Sequence, residues 1–138
     1  MKKLNMAFLI GALALMLTAL ADSQGSGPTH MKANIPFDFT LGDTTFTSGQ
    51  YDVSVNWQGV VWFHGSGGRV KAIYSQSVHS GRDAEYSKLV FHHLGERYFL
   101  AQIWMRGDTS GREIPPRRVE LEIMSRTRPE TVDVMARK

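Results

Sequence analysis

Apolar and polar side chains alternate with a period of two from Asn34 onwards, a pattern typical of β-strands. The first run would place four apolar residues on one face: Ile35, Phe37, Phe39 and Leu41. Pro36 cannot donate to a strand ladder, which predicts a sheet edge or the beginning of a strand there. Gly42-Asp43 interrupts the alternation and predicts a two-residue hairpin turn that pairs Phe39 with Phe46.

Further short strands are predicted between turn signals. After a second reversal at Ser48-Gly49, they begin with a run at Tyr51 and continue at 60–64 and 70–76, before a polar loop at 77–87.

The strongest hairpin signal is the stretch 88–105, KLVFHHLGERYFLAQIWM, with a turn at Gly95-Glu96. Both faces of this hairpin are largely apolar, as expected for central strands that are covered on two sides. The turn sets the predicted cross-strand pairs: His93 with Tyr98, Phe91 with Leu100, and Leu89 with Gln102.

Residues 117–126 fit either a strand or a helix. Val119, Leu121 and Ile123 alternate as in a strand, but the segment follows two prolines and is rich in helix formers, which favours a short helix. The tail at 127–138 is expected to be loosely held. The whole pattern predicts one all-β domain at 31–126, a small antiparallel barrel or sandwich of about seven strands with a short C-terminal helix.

The N-terminus has the form of a secretory signal peptide. A basic start is followed by an uncharged run from Leu4 to Ala21 that ends in Ala-Leu-Ala, which predicts cleavage after Ala21. An uncleaved anchor is the alternative, because this run is close to the ~18-residue lower limit for a spanning helix. Residues 22–30 are predicted to be a flexible leader. We therefore expect an extracytoplasmic protein, periplasmic or secreted, with no membrane span after cleavage.

Cleavage would also change the charge of the protein. Loss of Lys2 and Lys3 lowers the formal net charge from +3 to +1, since 14 basic side chains then face 13 acidic ones. The basic residues form no stripe interleaved with aromatics, so nucleic acid is not an expected partner. The chain has no cysteine, and its stability must therefore come from burial alone.

Four stretches resemble a family of small secreted bacterial all-β proteins of unknown function: IPFDF at 35–39, GQYDV at 49–53, LVFHHLGERYFLAQIW at 89–104 and GREIP at 111–115. The resemblance extends from about Lys32 to Arg126. Members commonly have Pro-Ala-Gly where this chain has Thr47-Ser48-Gly49, and often a Tyr in place of Leu94. The family has no known catalytic residues, so the resemblance implies the architecture and no active site.

Histidine is the only candidate metal ligand present in quantity, at His30, His64, His79, His92 and His93. Neighbours on a strand point to opposite faces, so the adjacent pair cannot easily share a metal ion. No HExxH motif, cysteine pair or acidic calcium loop is present in the sequence. Neither a metal site nor a cofactor is therefore expected, and the histidines are interpreted as sheet-lining residues.

Two sets of residues could be considered for hydrolysis. The loop at 77–87 contains Ser77, His79, Ser80, Asp83 and Glu85. No G-x-S-x-G elbow or oxyanion loop accompanies them, so no catalytic residue is assigned. Asp38, Asp43 and Asp52 could act as glycosidase carboxylates only if a cleft paired them, and their spacing does not indicate one.

Trp57 and Trp62 are the candidate binding residues. Trp57 lies near a predicted turn, and exposed aromatic side chains can stack on sugar rings or fill a partner's pocket. The expected function is non-enzymatic: a structural or binding module of the cell envelope or extracellular space, with an envelope protein, a glycan or a small apolar ligand as partner. The alternative is a carrier of a small apolar ligand within a β-barrel, and a hydrolase ranks third.

Overall fold

The computed structural model describes residues 29–138, which fold into eleven strands and one short helix. The strands are β1 Thr29–Ile35, β2 Phe39–Leu41, β3 Thr44–Phe46, β4 Gly49–Val55, β5 Val60–Gly65, β6 Val70–Tyr74, β7 Gln76–His79, β8 Lys88–Leu94, β9 Arg97–Trp104, β10 Ser110–Glu113 and β11 Glu130–Arg137, and the helix is α1 Arg118–Met124. The all-β class and the short helix within 117–126 are thereby confirmed. The predicted signal peptide and residues 22–28 of the predicted leader lie outside the described residues.

The strands form a curled half-barrel sheet in the order β3-β2-β9-β8-β11-β1-β4-β5-β6. Neighbouring strands are antiparallel, except that β2 and β9 are parallel. β7 follows β6 after one residue, Ser75, but pairs with β10, which in turn pairs with β9. The strands outnumber the prediction because several are only three or four residues long and the C-terminal segment adds another.

The expectation that residues 127–138 are loosely held is wrong. β11 lies between β8 and β1, and its pairing with β8 runs from Glu130 opposite His93 to Met135 opposite Lys88. Val132, Val134 and Ala136 pack on the core, while the residues between them face outwards. The predicted leader also ends earlier than expected, because β1 begins at Thr29.

The two predicted hairpin turns set the register near them correctly. Phe39 pairs with Phe46 across Gly42-Asp43, and Phe91 pairs with Leu100 across Gly95-Glu96. Further from the second turn, a β-bulge shifts the register, so that Leu89 lies opposite Ile103 and not opposite Gln102. The extra residue is Ala101, whose carbonyl oxygen accepts the amide of Ile114 at 2.8 Å.

Aromatic rings fill the concave side of the sheet. The ring centroid of Phe39 lies 5.2 Å from that of Tyr51, 5.5 Å from those of Phe46 and Phe91, and 6.1 Å from that of Phe63. All five residues are buried. Because the apolar residues of β1, β4, β5 and β6 point into this core, the alternate residues of the same strands form an outer surface.

Candidate functional site

The outer side of β5 and β6 carries a group of exposed aromatic and aliphatic side chains. Its outward residues are Val60, Trp62 and His64 on β5, and Val70, Ala72 and Tyr74 on β6. We use the name aromatic face for Val60, Trp62, Val70, Ala72 and Tyr74. Trp62 pairs with Ala72 and Tyr74 pairs with Val60, so the two aromatic residues lie diagonally across the two strands.

The two tryptophans singled out by the sequence are both exposed. Trp62, on the aromatic face, is 40% exposed, and Trp57, in the turn between β4 and β5, is 88% exposed. Tyr74, which the sequence analysis missed, is 67% exposed. The sequence signal for Tyr74 was its place in the outward phase of the predicted strand at 70–76. Its proximity to Trp62 depends on the pairing of β5 with β6.

The turn that carries Trp57 is held by its own hydrogen bonds. The side-chain oxygen Oδ1 of Asn56 accepts the amides of Gln58 at 3.0 Å and Val60 at 2.8 Å. The amide of Gly59 donates to the carbonyl oxygen of Asn56 at 3.1 Å. Gly59 has a φ of +84°, a conformation that favours glycine. The turn is therefore an ordered support for an exposed indole ring.

A second set of hydrogen bonds, which we call the Gly59 clasp, fixes this turn to the rest of the sheet. Ser75, fully buried, donates to the carbonyl oxygen of Gly59 from its amide at 2.9 Å and from its hydroxyl at 2.6 Å. Arg112 on β10 donates to Ser75 Oγ from Nε at 2.8 Å, and to the Ser75 carbonyl oxygen from Nη2. The clasp joins the Trp57 turn, the β6–β7 junction and β10.

The outward residues of β5 and β6 include no Asp, Glu, Lys or Arg. The nearest charged pair in the same rows is Lys32 with Asp52, whose charged atoms are 3.8 Å apart on β1 and β4. Arg137 lies opposite Lys32 on the far side of β1. Formal charge on the outer surface thus begins at Asp52, the diagonal neighbour of Trp62 on β4, whereas the outward residues of β5 and β6 themselves carry none.

The structure places His92 and His93 on different sides of β8. Nδ1 of His92 is 3.5 Å from Oε1 of Glu120, and Nδ1 of His93 is 3.6 Å from Oε2 of Glu130. The His93 ring also stacks on Tyr98 with a centroid distance of 4.2 Å. Within residues 29–138, no three His, Cys, Asp or Glu side chains come together in a way that could hold a metal ion.

Glu120 is a buried carboxyl group that the sequence analysis did not find. It lies on α1, is 6% exposed, and faces His92. Burial raises the pKa of Glu120 above its ordinary value, and the nearby His92 offsets only part of this rise. The helix therefore turns a charged residue inwards while Val119 and Leu121 remain about half exposed, which is the reverse of the usual amphipathic arrangement.

The hydrolase candidates of the 77–87 loop are distributed over two places. Ser77 and His79 belong to β7, where Nδ1 of His79 lies 2.8 Å from Oγ of Ser110, a residue outside the predicted set. Ser80, Asp83 and Glu85 line an open groove of about 460 Å³ over β8 and β9, with Trp104 also in its lining. The groove brings Ser80, Asp83 and Glu85 together with a sheet surface, and His79 is not among its lining residues.

The three aspartates considered as glycosidase carboxylates also have separate partners. Asp38 accepts the amide of Ser48 at 2.8 Å, and Asp52 pairs with Lys32. Asp43 accepts the amino group of Lys71 at 2.6 Å, and this hydrogen bond holds the pKa of Asp43 below its ordinary value. Each carboxylate thus makes a local contact at a different point of the sheet.

Comparisons of the chain with protein-family models, with curated proteins and with solved structures find no match. The resemblance to a secreted family therefore stays a prediction. In the part of the chain that the structure describes, the one helix is too short and too polar to cross a membrane.

Proposed function

We propose that the protein is a non-enzymatic, exported β-domain that serves as a binding module of the cell envelope or extracellular space, and that it binds through the aromatic face and Trp57. The observation that carries this proposal is the exposure of Trp57, Trp62 and Tyr74 at one end of a sheet surface whose supporting turn is held by the Gly59 clasp. Export is supported by the basic start, the apolar run and the Ala-Leu-Ala end of the first 21 residues.

Exposed aromatic groups of this kind favour a binding role. Single exposed apolar residues are common on protein surfaces, but contiguous ones mark interaction sites. Tryptophan and tyrosine also dominate the binding energy of many interfaces, because they combine a large apolar area with a polar group and few rotatable bonds. A turn ordered before binding lowers the entropy lost when the partner is engaged.

The packed interior favours the module over the carrier. A carrier of a small apolar ligand would need a cavity of roughly 300 Å³ or more on the concave side of the sheet. The Phe39 ring and its four aromatic neighbours occupy that place. The exposed side chains Trp57, Trp62 and Tyr74 instead lie where a partner can reach them without opening the fold.

Co-sedimentation with an envelope fraction of the producing cell tests the proposed function. The mature chain should pellet with the insoluble envelope, and the variant Trp57→Ala/Trp62→Ala/Tyr74→Ala should bind at least about tenfold more weakly. The matched control is Val119→Ser/Leu121→Ser, which removes two exposed apolar side chains from α1 and should bind as the parent does. Equal binding of the parent and the triple variant would exclude the aromatic face as the binding surface.

A further inference from the structure

We infer that the ligand of the aromatic face is an uncharged polysaccharide, whose sugar rings stack on Trp62, Tyr74 and Trp57. This inference rests on the proposed function, since it names the ligand class of the same surface. It is carried by three features of the described residues: the placement of the rings, the absence of Asp, Glu, Lys and Arg among the outward residues of β5 and β6, and the polar side chains that continue the same rows.

The rings are placed so that one extended chain can contact more than one of them. Trp62 and Tyr74 are diagonal neighbours on paired strands, a relationship that separates such residues by about 7–8 Å. Side chains stand roughly perpendicular to a sheet, so both project from the same surface. Tyr74 lies beside Ser75, which holds Gly59 of the Trp57 turn, so the third ring belongs to the same end of the sheet.

The chemistry of the surface matches that of a sugar ring. A pyranose has an apolar C–H face that packs against an aromatic ring, and a rim of hydroxyl groups that form hydrogen bonds. Trp62 lies between Ala72 and Ser54 in its row, and His64 follows it on the same face of β5. His30 on β1 continues the row beyond Ser54. Donors and acceptors therefore lie beside the rings, where the hydroxyl rim of a stacked sugar would reach.

The charge distribution favours an uncharged ligand over an anionic one. Anionic glycans, phospholipids and nucleic acids are bound through Lys and Arg side chains that neutralise them. The outward residues of β5 and β6 include no such side chain, and Lys32 is already paired with Asp52. The rings are exposed on the outer surface of the sheet, so they suit the side of a polymer chain better than a small molecule, which is usually bound in a concave pocket.

Isothermal titration calorimetry with defined saccharides tests the inference. The probes are neutral linear oligosaccharides of glucan, xylan, mannan and chitin, with polygalacturonate and heparin as anionic comparisons. At least one neutral probe should bind, and Trp62→Ala/Tyr74→Ala should weaken that binding at least tenfold. Val119→Ser/Leu121→Ser is the control and should leave the binding constant unchanged. Thermal melting of each variant verifies that it is folded.

The possible failures are distinguishable from failure of the proposed function. If no saccharide binds but sedimentation with the envelope still depends on the aromatic face and is lost after protease treatment of the envelope, the partner is a protein. The binding module then stands, and the sugar inference is overturned. Stronger binding of an anionic probe than of any neutral one would also overturn it, as would neutral-probe binding that survives in Trp62→Ala/Tyr74→Ala. Loss of both sugar binding and sedimentation would overturn the inference and the proposed function together.

Discussion

The guanidinium Nε of Arg112 donates a hydrogen bond to the hydroxyl oxygen of Ser75 over 2.8 Å. The same hydroxyl group donates to the carbonyl oxygen of Gly59 at 2.6 Å, so a residue of β10 fixes the turn that carries Trp57 through one buried side chain. The contact also lies where the chain passes from β6 to β7 and changes its pairing partner from β5 to β10. A single cluster thus stabilises both the path of the sheet and the proposed binding surface.

The first prediction concerns this cluster. Ser75→Ala removes the hydroxyl hydrogen bond to Gly59 and leaves Nε of Arg112 without its acceptor, so it should lower the free energy of unfolding by about 1–3 kcal/mol. Chemical denaturation measures this change. Hydrogen exchange at the amide of Gly59 should also become faster, because the turn loses one of its anchors.

Ser80→Ala is the matched control for this prediction, since Ser80 is exposed in the loop after β7. Its effect should stay within about 0.5 kcal/mol. If Ser75→Ala were as mild as Ser80→Ala and left exchange at Gly59 unchanged, the clasp would not hold the turn.

The second prediction is a pH dependence of stability caused by Glu120. Burial raises the pKa of this carboxyl group above its ordinary value of 4.5, so the native state binds the proton more tightly than the unfolded chain does. The contribution of Glu120 to the free energy of unfolding therefore falls as the pH rises from 4.5 through the pKa that Glu120 has in the folded state. Glu120→Gln cannot ionise, and it should lose less stability than the parent between pH 4.5 and neutral pH.

Urea denaturation at a series of pH values measures this slope. Glu122→Gln removes an exposed carboxylate from the same helix and should keep the slope of the parent. Identical slopes for the parent and Glu120→Gln would contradict the assignment of a raised pKa to Glu120.

Local sequence rules predicted the parts of the fold that depend on local geometry. A two-residue turn fixes the register of the strands beside it, and the pairs Phe39–Phe46 and Phe91–Leu100 follow from that rule alone. The exposure of Trp57 follows equally from its place in a turn. The pairing of Leu89 with Ile103 does not follow from the turn, because the β-bulge at Ala101 shifts the register. The carbonyl oxygen of Ala101 accepts the amide of Ile114, so the bulge also involves a later segment of the chain.

The remaining features were set by contacts between distant segments. Helical periodicity places apolar residues inwards, but α1 buries Glu120 against His92 of β8, which only the tertiary structure reveals. Tyr74 becomes part of a candidate site only through the register of β6 on β5. The place of β11 in the sheet comes from its pairing with the distant strands β8 and β1, which the sequence of the segment alone does not specify.

The third prediction concerns export. The pattern at Ala19-Leu20-Ala21 should yield a mature N-terminus at Asp22. N-terminal sequencing of protein purified from the periplasm or culture medium of the producing cell tests this. Intact Met1 in protein recovered from a membrane fraction would instead indicate an uncleaved anchor.

The last prediction tests the role of β11 with two neighbouring residues on opposite faces of the strand. Val134 is buried opposite Leu89 of β8, whereas Met135 is exposed. Val134→Asp would place an unpaired carboxylate in the core. The free energy cost of burying this charge would be a large share of the about 5–15 kcal/mol that typically stabilises a domain. We expect Val134→Asp to unfold or to melt far below the parent, and Met135→Asp to melt close to it. The two substitutions add the same charge one position apart, so thermal melting by circular dichroism separates the effect of the buried face from that of the charge. Equal melting of both variants would mean that the C-terminal segment does not belong to the folded sheet.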